Sequence, residues 1–161
     1  MSSQVLSHRH REGILSAVSA GVFLVLIGLL FILTPGLVDK FGTFFKDIKL
    51  VNVTSVENVM LPAPEHVAQH LEVYSAVEQF SLGWGVFLVA MLVVRFAIGS
   101  PNRRKAENLS DIIFWFGAAY LIQTWLINNA KWFEFWATIL IVLGVSLIVR
   151  AIYLAAVALR K

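Results

Sequence analysis

ILSAVSAGVFLVLIGLLFILT, residues 14–34, runs for twenty-one positions without an ionisable side chain and ends at Pro35-Gly36. An α-helix rises about 1.5 Å per residue, so this stretch matches a hydrocarbon layer roughly 30 Å thick. Three more apolar segments follow, at 80–98, 110–128 and 132–159. The fold class read from them is an all-α integral membrane protein, a bundle of four transmembrane helices. One membrane domain covers 1–161: spans at 14–34, 80–98, 110–128 and 132–159, an outer cap loop at 35–79 and an inner loop at 99–109.

Composition agrees with that class. Of 161 residues 58% are hydrophobic and only 14% charged, where a soluble domain carries about a quarter charged. There is no cysteine, which excludes disulfides, thiolate metal sites and cysteine nucleophiles. The net charge of +3 comes from basic residues placed where topology needs them, so nucleic acid is not an expected partner. The first segment follows Arg9 and Arg11 as a signal peptide would, but its apolar core is too long and no small-x-small site follows. It reads as a retained anchor.

Basic residues orient the chain. With the N-terminus cytoplasmic, nine of the thirteen lie inside (Arg9, Arg11, Arg95, Arg103, Arg104, Lys105, Arg150, Arg160 and Lys161) and four outside (Lys40, Lys46, Lys49 and Lys131). Both termini are therefore expected in the cytoplasm, and the expected location is the cell membrane. Trp125, Trp132 and Trp136 fall at outer span ends and Trp115 near an inner one, as interfacial indoles prefer.

The cap loop has two parts. LVDKFGTFFKDIKL places Leu37, Phe41, Phe44, Phe45 and Ile48 on one helical face, with Asp39, Lys40, Lys46, Asp47 and Lys49 on the other. That pattern predicts an amphipathic surface helix. VNVTSVENVML, with Pro62-Ala63-Pro64 after it, reads as an extended strap. From Pro64 a helix is expected to run straight into the second span. Ser110-Asp111 is expected to cap the third helix.

Three sets of residues are candidate sites. Glu65, His66 and His70 have metal-ligand spacing, because histidines at i and i+4 share a helix face. Solvated polar residues on a juxtamembrane helix account for them equally well. Glu78, Gln123 and Glu134 map to the outer half of the spans, as a polar vestibule for an ion or as interhelical hydrogen bonding. Arg95, Asp111 and Arg150 are expected near the inner interface, where the arginines snorkel to lipid phosphates or join Asp111 in an ion network.

Small residues recur at helix-packing spacing: Ala17/Gly21, Ser81/Gly85 and Ala151/Ala155, with Gly117 and Gly144 besides. Asn52 and Asn108 head N-glycosylation sequons. No nucleotide, catalytic-triad or lipidation motif occurs, and no cofactor is expected. The leading expectation is a non-enzymatic accessory, scaffolding or oligomer-forming subunit, with membrane lipids and a second copy or another membrane protein as partners. A small channel or transporter is the alternative, and a membrane metalloenzyme built on His66 and His70 is the third reading.

Overall fold

The computed structural model describes residues 2–53 and 59–159, with side chains from residue 12 onward. The chain is mostly helical: α1 (Ser2–Leu33), α2 (Leu37–Lys46), α3 (Leu71–Ala97), α4 (Asn102–Leu121) and α5 (Trp132–Ala158). Four of these stretches are long and apolar enough to cross a membrane: Glu12–Leu33, Val67–Ala97, Asn102–Ile127 and Trp132–Ala158. Helices α3, α4 and α5 pack side by side, while α1 lies mainly along α3. None of residues 12–33 is buried.

The expected strap is a β-hairpin. Strands β1 (Ile48–Asn52) and β2 (Met60–Pro64) pair antiparallel, with Ile48 opposite Pro64 and Asn52 opposite Met60. Ile48 and Val51 give β1 the β-branched residues that suit a strand. The prolines lie in β2 of a sheet with only two strands, where one edge needs no donor. Asn52 is exposed, whereas Thr54 of its sequon lies outside the described residues.

Helix α2 begins after Gly36, whose φ of 70° is left-handed and natural only for glycine. Its apolar face covers one end of the bundle, called the cap end below. Phe44 meets His70, Tyr74 and Trp132 with ring centroids 5.2, 6.1 and 5.9 Å apart. Beneath it lies a core of Tyr74, Ala118, Leu121, Ile122, Leu126, Phe135 and Ile139.

Two helix starts near the candidate sites differ from the sequence reading. Regular helix starts at Leu71 rather than Pro64, because Val67–His70 forms a 3-10 turn first. Helix α4 starts at Asn102, so Ser110 and Asp111 lie inside it rather than capping it. Residues 102–109, NRRKAENL, are mostly good helix formers, and Ser110 is buried with its hydroxyl donating to Ser146 O at 2.9 Å. Trp115 consequently sits mid-helix and meets Phe80 edge-on at 5.7 Å. At the end of α3, Gly99 with φ 69° closes a Schellman turn, in which Ser100 N bonds Arg95 O at 2.9 Å.

The small-residue stripes divide into two kinds. A Cβ on Gly85 would touch the Phe116 ring at 3.2 Å, and one on Gly117 would meet Val142 Cγ1 at 2.6 Å. Those glycines let α3, α4 and α5 approach. Gly13, Gly21, Gly28 and Gly144 have nothing within 4 Å of that position.

Candidate functional site

At the cap end the hairpin register sets the geometry. Because Ile48 faces Pro64, the next pair outward is Asp47 and Glu65, and Glu65 N donates to Asp47 O at 3.0 Å. Lys49, diagonal to Glu65 across the ladder, pairs with its carboxylate. His66 follows in a non-helical conformation and donates its backbone N–H to Asp47 Oδ2 at 2.9 Å. Its Nδ1 lies 3.0 Å from Oδ1. His70 Nε2 reaches Oδ2 at 2.9 Å from the buried side.

Asp47 is thus the hub of this end, a residue the sequence reading placed only on the polar face of α2. The hydrogen bonds from His70 and His66 hold its carboxyl well below the usual carboxylate range. The Glu65 carboxylate beside Lys49 raises the Lys49 ammonium above its ordinary value. His66 and His70 do not share a helix face, because the 3-10 turn separates them. They converge on one carboxylate from two directions instead. A ligand atom each of Asp47, Glu65 and His66 lies within 4.8 Å of the other two.

The second set is brought together in part. Glu78 on α3 and Gln123, just beyond the end of α4, face each other. With its amide turned nitrogen-first, Gln123 donates to both Glu78 oxygens at 3.0 and 3.1 Å. Gln123 lies in a π-helical segment, Ile122–Ile127, that continues α4. Such a wide turn is tolerated where a side chain or its partner needs the room. Glu134 stands apart in the first turn of α5, and its backbone carbonyl accepts from Thr138.

At the opposite end the ion network centres on Glu107. Its carboxylate accepts from Arg103 at 3.1 Å, Arg104 at 3.4 Å and Arg150 at 3.0 Å. Asp111, one turn along the same face of α4, takes part in no ion pair among the described residues. Arg95 donates to the Arg104 backbone carbonyl at 2.7 Å. A cavity of about 250 Å³ lies here between α1, α3 and α4, lined by Glu12, Ser16, Arg95, Asn108 and Asp111 among others. Glu12 also accepts from Ser100 Oγ at 2.6 Å. Asn108 of the second sequon is buried, donating to Leu88 O at 2.7 Å.

Comparison of the chain with protein-family models, with curated proteins and with solved structures finds no match in any of the three.

Proposed function

We propose that the chain is a four-span protein of the cell membrane with both termini cytoplasmic, and that it works without catalysis of its own as an oligomer-forming or accessory subunit. The nine-to-four division of basic residues supports the orientation. It puts the Asp47 end outside and the Glu107 end at the cytoplasmic surface.

One observation carries the subunit reading. Gly13, Ala17, Gly21 and Gly28 recur every four or seven residues, so they occupy one face of α1. All four are exposed, and that face points away from the side of α1, marked by Phe23 and Leu26, that touches α3. Facing lipid, glycines cost backbone freedom for no contact. Facing another helix, they let two backbones approach closely, which is how transmembrane helices associate when the hydrophobic effect is absent. The stripes at Ser81/Gly85 and Gly117 already serve that purpose inside the bundle.

Native mass spectrometry of protein extracted in mild detergent tests the reading. The expected species is a closed homo-oligomer or a stoichiometric complex, reduced to monomer by Gly21→Leu/Gly28→Leu without loss of thermal stability. A wild-type protein that leaves its own membranes as a lone monomer would overturn it.

A second reading, a small channel or transporter, is supported by the Glu78–Gln123 pair at the π-helical segment, since carboxylates at membrane depth are expensive to keep. Proteoliposome flux of monovalent cations discriminates. Flux lost on Gln123→Leu favours the pore, and impermeable vesicles exclude it.

A further inference from the structure

We propose that Asp47, Glu65 and His66 form an extracytoplasmic site for a divalent transition-metal ion such as Zn²⁺. Three separate elements deliver the ligands: the C-terminus of α2, the end of β2 and the turn before α3. Their ligand atoms already lie within 4.8 Å of one another, and His66 Nδ1 is 3.0 Å from Asp47 Oδ1. Zinc held at about 2.0–2.2 Å by nitrogen and oxygen sets its ligands roughly 3.3 Å apart. Small side-chain rotations therefore convert the hydrogen-bonded cluster into a coordination sphere, with no movement of backbone.

The donor set suits the ion. One imidazole and two carboxylates match a borderline cation of the zinc group and leave a coordination position for water. His70, with its side chain 5% exposed, keeps hold of Asp47 Oδ2 from the opposite side. Outer-sphere hydrogen bonds to a ligating carboxylate orient it in this way.

On binding, the His66 proton moves from Nδ1 to Nε2 through solvent, so that the neutral ring offers its Nδ1 lone pair to the ion, which takes the hydrogen's place between ring and carboxylate. Lys49 is the resident competitor, since its ammonium holds the Glu65 carboxylate. Its side chain is 59% exposed and swings into water without disturbing any packing. The bound ion would tie hairpin, α2 and α3 together in the cap.

The test is isothermal titration of the full-length protein in detergent with ZnCl₂. His8 and His10 are replaced by alanine throughout, so that they contribute no heat. The expected result is saturable one-to-one binding. Glu65→Gln and His66→Gln, both at exposed positions, each weaken binding by about tenfold or more. Lys49→Ala removes the competitor and tightens it, which a purely structural role for the Lys49–Glu65 pair does not predict. Absence of saturable heat would overturn the proposal. So would binding that Glu65→Gln and His66→Gln leave unchanged, which would mark an adventitious ion only.

Discussion

Asp47 at the end of α2 and His70 at the base of α3 are joined by a 2.9 Å contact between Oδ2 and Nε2. The bond links the amphipathic cap helix to the helical bundle, and His66 fastens the hairpin to the same carboxylate. Most of what distinguishes this end of the molecule depends on that one acid.

Asp47→Ala should loosen the cap more than any other single change there. It removes the acceptor of three hydrogen bonds and leaves the buried His70 ring nitrogen without a partner. The expected outcome is a fall in Tm of about 4 °C or more in detergent, with faster proteolytic cleavage between residues 47 and 66. Cleavage at the wild-type rate would show that packing of Phe44 alone holds the cap.

Acid should reproduce that effect in metal-free buffer. The Asp47 carboxyl is depressed in the folded protein by the His70 and His66 hydrogen bonds. A depressed carboxyl contributes stability that is fully present above its ordinary unfolded value, about 3.9. The contribution is lost as pH falls below that value towards the folded one. Protonating either histidine does not cancel it, because imidazolium keeps both N–H donors. The cap should therefore stay closed at pH 5 and open below about pH 3.5, followed by amide exchange at residues 66–71. Opening already complete at pH 5 would assign the transition to another group.

Glu107 and Asp111 should prove unequal. Glu107→Gln strips three arginines of their common acceptor and should cost about 1–2 kcal/mol, discounted for partial exposure of the cluster. Asp111→Asn breaks no ion pair among the described residues and should change thermal stability little. Equal losses in a denaturation series would place Asp111 back in the network.

Gly117→Ala and Gly21→Ala add the same methyl group with opposite expected consequences. At position 117 the new Cβ would stand 2.6 Å from Val142 Cγ1, so Val142 must leave its rotamer or α4 and α5 must separate, at about 1–3 kcal/mol. At position 21 it meets nothing, and alanine favours helix over glycine. Thermal unfolding in detergent should fall for the first and hold or rise for the second.

The four apolar helices and the amphipathic α2 were legible in the chain because hydropathy and its period are local properties. Each residue contributes to them regardless of what lies elsewhere. The small-residue stripes were legible in the same sense, as spacings. Which of them face inward, at Gly85 and Gly117, and which stay open, at Gly21 and Gly28, depends on the rotation of each helix against its neighbours.

The sites depended on such relations throughout. Glu65, His66 and His70 could be picked out by residue type, but their convergence on Asp47 follows from a hairpin register that pairs residues many positions apart. The 3-10 turn at Val67–His70 then undid the shared helix face that an i, i+4 spacing implies. Arg95 and Arg150 were visible as costly charges, yet their partners are the Arg104 carbonyl and Glu107. A shift of α4's start to Asn102 made that exchange, bringing a different carboxylate level with α5. Hydrophobic length is written along one strand of chain, whereas the meeting of two charges requires both ends of a loop to be closed.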